Sequence, residues 1–273
     1  MFSFYIVATP IGNIKDITLR AIETLKDVDF IVCEDTRIST KLLTAYLISN
    51  KKLLVYNDHS DDEDRIKITN LLEKGLRGAL ISDAGTPVVN DPGYKLINFI
   101  RDKGFKICSI PGASCVTTAI SLAYLPTHNF YYLGFLPPKA IAKANLLKKV
   151  AFVEATLVIL ESKNRILDTA QTIYQTLGNR HIVIARELTK LHEEVISLNA
   201  FDLIEYLKNR DLKGEIVLLV SGAITTYNYS DDKIIEILKS NSIKMSMRDA
   251  IILTAEQLNI PKKQVYTLAN KIT

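Results

Sequence analysis

Cysteine, histidine and unbalanced charge are all scarce in this chain. Cysteine occurs three times, at Cys33, Cys108 and Cys115, and never as a C-x-x-C pair. That excludes a disulfide framework and fits a reducing compartment. The four histidines, His59, His128, His181 and His192, lack the spacing of a zinc site, so no metal is expected. G-x-G-x-x-G and G-x-x-x-x-G-K-[ST] are both absent, which removes the Rossmann and P-loop fingerprints. G-x-S-x-G is missing too. Ser114 reads as a helix cap, and Cys33 and Cys115 read as small buried residues.

Long apolar runs are also lacking. The longest uncharged stretch, Ile107 to Pro138, is broken by Pro111, Gly112 and Pro126. A membrane span needs about 20 nearly continuous apolar residues. The start, MFSFYIVATPIGN, has no basic segment and too short an apolar run for a signal peptide. A cytoplasmic protein without a membrane partner is the expectation.

What is present is an ordinary globular composition: 273 residues, 48% apolar and 23% charged. That length suits one large domain or two modest ones. Thirty-four Lys and Arg against 30 Asp and Glu leave a net +4. Such a balance permits a nucleic-acid partner without requiring one.

Short β-rich runs alternate with helical spacing. Strands are expected at Phe4–Ala8, Phe30–Cys33, Leu53–Tyr56, Gly78–Ser82 and Phe105–Ile110, with helices between them, one of them at Ile66–Glu73 behind an acidic cap. This alternation predicts an α/β domain with a mostly parallel sheet. Ligands of such sheets sit beyond the carboxyl ends of the strands. Three turns fall there: TPIGN, SDAGTP and PGAS. Their small residues let a ligand approach the backbone closely. SDAGTP taken alone also fits a plain strand-to-helix turn.

The prolines around Leu125-Pro126 and Leu136-Pro137-Pro138 suggest a connection between domains. A second α/β unit follows, with strands at Phe130–Leu133, Thr156–Leu160, His181–Ala185, Glu193–Ile196 and Ile216–Val220. Three short helices close the chain, and Asn259-Ile260-Pro261 turns the last two into a helix-turn-helix-like unit. That tail holds seven Lys and Arg against five Asp and Glu. Two charged runs stand out, Glu34-Asp35-Thr36-Arg37 and Arg186 to Glu194. Each reads either as a solvated loop laced with ion pairs or as a rim that grips phosphates and handles protons.

The blocks IVATPIGNIKDITLRAIETL, VCEDTR with STKLL, ISDAGTPVVNDPGY, SIPGAS, GFLPPK, ARELTKLHEE and KGEIVLLV follow in this order. Together they closely resemble the bacterial 16S (small-subunit) ribosomal RNA cytidine 2′-O-methyltransferases of the tetrapyrrole methylase superfamily. The resemblance runs from about Phe4 to the C-terminus. It implies a two-domain α/β fold with S-adenosylmethionine (SAM) in the interdomain cleft and a small helical extension. The corresponding segments are 1–122, 123–224 and 225–273. It also implies a homodimer acting on a cytidine in the decoding region, within the assembled 30S subunit.

By position, Pro10, Ile11 and Gly12 match the first loop at the cofactor. Asp83, Ala84, Gly85, Thr86 and Pro87 match the principal SAM turn, and Ser114 the third contact. Glu161, Gly214 and Glu215 are the contributions of the second domain. Arg37, Lys139, Arg186 and Lys190 are the expected RNA-binding cations. A ribose hydroxyl is a poor acid, so a base would help; Glu34, Asp35 and Glu187 are the candidates, with His192 behind them. Some positions depart from the family. Glu-Ser-Pro-His-Arg is here Glu161-Ser162-Lys163-Asn164-Arg165. Tyr-His-Glu-His-Asn is Tyr56-Asn57-Asp58-His59-Ser60, and Pro138 stands where an arginine is usual. Two other readings remain open. One is a porphyrinoid methyltransferase of the same fold, although its usual G-P-G-x-x-x-L-T loop is here Thr9-Pro10-Ile11-Gly12. The other is a nucleic-acid-binding regulator using the terminal helices.

Overall fold

The computed structural model describes residues 2–210, 212–223, 229–243, 245–258 and 260–272. The chain divides into two compact units, residues 1–222 and 223–273. In the first unit, strands β1 (Phe4–Val7), β2 (Phe30–Cys33), β3 (Lys52–Val55), β4 (Gly78–Ile81) and β5 (Ile107–Ile110) form a sheet in the order β3-β2-β4-β1-β5. All of its pairings are parallel. β2 and β4 are buried at every residue, as central strands covered on both faces must be.

Helices α1 (Leu19–Asp27) and α2 (Thr36–Ala45) cover one face. There Ala21, Leu25 and Leu43 pack on Val7, Ile31 and Ile81. Helices α3 (Asp62–Glu73) and α4 (Tyr94–Asp102) cover the other, placing Ile68, Leu72, Leu96 and Ile100 on Phe4, Phe30 and Val32. The chain leaves β1 toward β2 and leaves β4 toward β5, so the two central neighbours send their loops opposite ways. That divergence opens a crevice at the ends of β1 and β4.

Two helices begin earlier than the sequence pattern predicts, which puts the starts at Ser39 for α2 and at Ile66 for α3. Asp35 caps α2 by accepting from the Arg37 N–H, so EDTR opens a helix. Asp61 and Asp64 form a capping box on α3, and Asp62 to Asp64 sit in its first turn. Acidic residues suit that end because they face the positive pole of the helix dipole.

Helix α5 (Cys115–Leu122) ends the first half of the chain. The second sheet holds β6 (Phe130–Phe135), β7 (Thr156–Ser162), β8 (His181–Arg186), β9 (Glu194–Asn199) and β10 (Glu215–Val220), in the order β6-β7-β10-β8-β9. Only its β6–β7 pairing is parallel. Helices α6 (Ala140–Lys149), α7 (Ile166–Leu177) and α8 (Ala200–Lys208) pack on one face. α5 packs on the other, with Val116, Ala119 and Ile120 against Val158, Val183, Val217 and Leu219. The two sheets are therefore joined through α5 into one unit. The change of sheet comes at residues 123–129. Leu136-Pro137-Pro138 is not a connection between domains, because it links β6 to α6 inside the second sheet's half. Arg165 fixes it there, donating to the Leu136 carbonyl at 2.6 Å.

The second unit is a three-helix cluster of α9 (Asp231–Ser242), α10 (Met247–Leu258) and α11 (Lys262–Ile272). Ile234, Leu238, Ile251, Leu258, Val265 and Leu268 form its core. The expected segment start at 225 falls among residues 224–228, outside the described residues. Asn259 of the expected turn lies outside them as well. Among the described residues, no helix is long and apolar enough to cross a membrane.

Candidate functional site

The three small-residue turns meet at the crevice. Thr9, just past β1, pairs with Gly85, just past β4: Thr9 N donates to Gly85 O at 2.8 Å and Gly85 N to Thr9 O at 3.1 Å. The Thr9 hydroxyl also donates to Ser82 O at 3.0 Å. Gly85 has φ +84, a left-handed conformation that glycine adopts without a side-chain clash. A Cβ there would stand 3.3 Å from the Ile11 side chain. The Thr86 hydroxyl donates to Ala113 O at 3.3 Å, which ties in the third turn. Ser114 begins α5, but its hydroxyl makes no capping bond.

Beyond this junction lies a cavity of about 540 Å³ between the two sheets. Ile11 and Ala84 line it from the first sheet. Leu160, Glu161, Ala185, Gly214, Glu215, Ile216 and Val217 line it from the second, with Cys115 and Phe135 at its side. Two smaller hollows adjoin it. One, about 290 Å³, takes in Pro10, Gly12, Asp83, Lys190 and Ile38. The other, about 200 Å³, takes in Thr86, Asp91, Ser114 and Tyr132. Ala84 and Glu215 line all three. The main volume lies in the range of small-molecule sites, which run about 300–1,000 Å³.

The run after β8 is not a free rim. Glu187 and Thr189 adopt φ of +49 and +65. Lys190 pairs with Glu187 at 2.9 Å and with Glu215 at 3.1 Å. Arg186 pairs with Glu194 at 2.7 Å and donates to Lys213 O at 3.0 Å. The Glu187 carboxylate also accepts from Glu215 N at 3.1 Å. The Lys190 ammonium holds Glu187 below the usual carboxylate range. The loop presses on both sheets' turns. The Thr189 hydroxyl accepts from Asn13 N at 2.9 Å. A Cβ on Gly12 would lie within 2.7 Å of Lys190, Leu188 and Thr189, and one on Gly214 would collide with the Glu187 carboxyl.

Behind the cavity wall a buried polar chain fixes Glu161. Its carboxylate accepts from Ser162 N at 2.8 Å and from the Thr169 hydroxyl at 2.7 Å, and Arg165 stands 3.4 Å away. The fully buried Lys143 donates to Thr169 at 3.0 Å. Glu161 and Arg165 thus brace the turn whatever occupies 163 and 164. Tyr56 is likewise structural, accepting from Arg65 at 3.0 Å, while His59 is exposed.

The first-sheet carboxylates behave differently from one another. Hydrogen bonds from the Arg37 side chain and backbone hold Asp35 at about 2. Burial, then the neighbouring acids, pushes Glu34, Asp83 and Asp91 upward. Burial likewise raises the Cys33 and Cys115 thiols, which keeps them protonated and poor nucleophiles. Among the described residues, no group of three or more His, Cys, Asp or Glu is arranged to hold a metal ion.

Ten of the twelve residues carried over to the cofactor line these hollows; Gly85 and Pro87 lie buried in the turn behind them. Lys190 lines one hollow, whereas Arg186 does not, and Arg37 and Lys139 are exposed away from the linings. Glu34, Asp35 and Glu187 fall outside the linings too. The apolar wall residues Leu160, Ala185, Ile216 and Val217 escaped sequence reasoning, because neighbouring strand positions are apolar on both faces. Asp91 and Tyr132 were also missed; Asp91 stands inside the quoted ISDAGTPVVNDPGY block, which was the available signal.

The sequence profile of the family described as Tetrapyrrole (Corrin/Porphyrin) Methylases matches residues 3–204. Ribosomal RNA small subunit methyltransferase I of Rickettsia prowazekii (strain Madrid E) is 43% identical over 271 residues, 98% of this chain and 96% of that protein. The protein of the same name from Escherichia coli O157:H7 is 37% identical over 97% of this chain and 93% of its own length. Among solved structures, the methyltransferase CobJ superposes with a TM-score of 0.62 at 16% identity, covering 82% of this chain and 95% of that one. Uroporphyrin-III C-methyltransferase from Thermus thermophilus, complexed with S-adenosyl homocysteine, gives 0.55 at 18% identity over 79% of this chain and 96% of that one. At such identities the structural likeness establishes the fold.

Proposed function

The chain belongs to the tetrapyrrole (corrin/porphyrin) methylase family, and from that premise we propose that it methylates the ribose 2′-hydroxyl of a cytidine in small-subunit ribosomal RNA, with SAM as donor. The observation that carries the site is the Thr9–Gly85 junction at the diverging ends of β1 and β4, directly beside the inter-sheet cavity of about 540 Å³. Near whole-length likeness to ribosomal RNA small subunit methyltransferases supports the substrate class.

The cavity fits the donor. Its wall is mostly apolar, Ile11 and Ala84 present the first sheet's turns to it, and Glu161 and Glu215 add acceptors. Pro10 to Gly12, Asp83 to Pro87, Ser114, Glu161, Gly214 and Glu215 are the residues that would hold it. When bound, SAM supplies an electrophilic methyl group on a sulfonium whose departure leaves a neutral thioether. This chain's part is alignment, which in favourable cases is worth about 7–11 kcal/mol.

Arg37 and Lys139 are exposed and serve as phosphate contacts. Arg186 and Lys190 add positive charge to the rim while paired within their loop. The target must present its hydroxyl to a cleft, which suits an unpaired segment of a structured RNA. The assembled 30S subunit, a homodimer and the cytoplasm complete the proposal. The test is incubation with methyl-labelled SAM and either free small-subunit RNA or 30S subunits. Label mapping to one cytidine ribose supports the reading. Label on a base, on a porphyrinoid, or on no RNA contradicts it.

A further inference from the structure

An RNA hydroxyl becomes a good nucleophile when a nearby carboxylate takes its proton. Four carboxylates line the joined hollows: Asp83, Asp91, Glu161 and Glu215. Three are engaged. Asp83 accepts from Asp35 N at 3.3 Å, Glu161 is held by Ser162 and Thr169, and Glu215 pairs with Lys190. Asp91 forms no ion pair among the described residues, and the nearby Ser82 hydroxyl donates to the Ala84 and Gly85 carbonyls.

Its loop is held in an unusual shape. Val88 and Asn90 adopt φ of +76 and +62, and Gly93 +132. A β-branched residue at positive φ is a rare outlier. Such strain persists only where the surroundings over-determine it, and it clusters at functional sites. The surroundings here are specific: the Asn90 amide packs against Gly134 at the irregular pairing of β6 with β7, where a Cβ would collide with it. Residues 88–93 therefore bridge both sheets at the cavity wall. We infer that Asp91 is the catalytic base of the methyl transfer, aimed by this left-handed loop into the hollow it shares with Ser114 and Tyr132.

The inference rests on the ribose-methylation reading above. In the step, the hydroxyl proton passes to the Asp91 carboxylate. The O–H electron pair stays on the ribose oxygen, which forms the new C–O bond. The S–C pair leaves with sulfur as the neutral thioether, and Asp91 later releases its proton to water. The groups facing Asp91 are Asp58, Asp83 and Glu34 from first-sheet loops, Cys115 from α5, Tyr132 from β6 and Glu215 from β10. None is a cation. Burial first, and the acids second, raise the Asp91 carboxyl toward the pH at which a base is most effective.

The test uses the full chain, SAM and 30S subunits. It compares the unsubstituted protein with Asp91→Asn and Asp91→Glu in single-turnover methylation across pH, alongside ¹³C-carboxyl NMR titration of labelled aspartates and SAM titration. The expected result is a rate loss of about 100-fold or more in Asp91→Asn, with SAM affinity within about twofold. Its acid limb of rate disappears together with one carboxyl resonance of the same midpoint, and Asp91→Glu retains an acid limb. Near-normal rates in Asp91→Asn, or an unchanged acid limb, overturn the assignment of Asp91 alone. SAM binding without any RNA methylation by the unsubstituted protein overturns the ribosomal reading and this inference with it.

Discussion

The two rims of the cleft are fixed by different physics. On the first-sheet side, the turns after β1, β4 and β5 are joined by backbone hydrogen bonds and by hydroxyls of Thr9 and Thr86. On the second-sheet side, the loop after β8 is joined by Glu187, Lys190, Arg186, Glu194 and Glu215 in ion pairs. The first rim needs glycine at Gly85 for its own backbone. The second needs glycine at Gly12 and Gly214 so that a neighbouring loop can lie against them. The bonds that join the first set of turns are between uncharged groups, whereas those of the second are between charges that pH and salt weaken.

The largest effect should come from breaking the first rim. Gly85→Val puts a β-branched residue at φ +84, which costs roughly 1–2 kcal/mol in the backbone alone, and pushes on Ile11. Calorimetric titration should show SAM affinity falling by about 100-fold or more, near 2.8 kcal/mol, with cooperative unfolding kept. Gly214→Ala should come next. Its Cβ meets the Glu187 carboxyl, so the loop must move, and thermal unfolding should report a loss of about 1–3 kcal/mol.

Glu187→Gln separates the rims by pH. The folded carboxyl is lowered, chiefly by its hydrogen bond from Lys190. Its stabilisation is therefore full above the ordinary glutamate value, about 4.3, and is lost as pH falls through the lowered one. The melting-temperature gap between variant and parent should be largest near neutral pH and close as the pH falls below the ordinary glutamate value. The Gly85→Val defect in SAM binding should show no such dependence. The smallest effect on the cofactor belongs to Arg37→Ala, whose side chain is 86% exposed. SAM binding should not change, while RNA binding weakens and its logarithmic salt slope drops by about 1.

Much of this arrangement was legible in the sequence. The strands lie close to the β-rich runs of the sequence, and the turns TPIGN, SDAGTP and PGAS, which follow β1, β4 and β5, do converge. What stayed hidden was long-range. EDTR reads as a charged rim until Asp35 is seen capping α2. The charged run from Arg186 reads as solvated until Gly12 and Gly214 let it lie against two turns, bonded to one across 176 positions of sequence and to the other across 28. The left-handed Val88 has no local signature, since a β-branched residue disfavours positive φ, whereas Asn90 is of a type that tolerates it. The parallel first sheet followed from strand–helix alternation, whereas the antiparallel pairings of β7 to β10 depend on partners distant in the chain.

Everything proposed here requires the donor to sit against the β1/β4 junction. A crystal structure with S-adenosylhomocysteine tests it most directly. The ligand should lie in the inter-sheet cavity, touching Ile11, Ala84 and Glu215. A ligand seated elsewhere, such as the hollow lined by Thr40, Leu43 and Leu53, would contradict it.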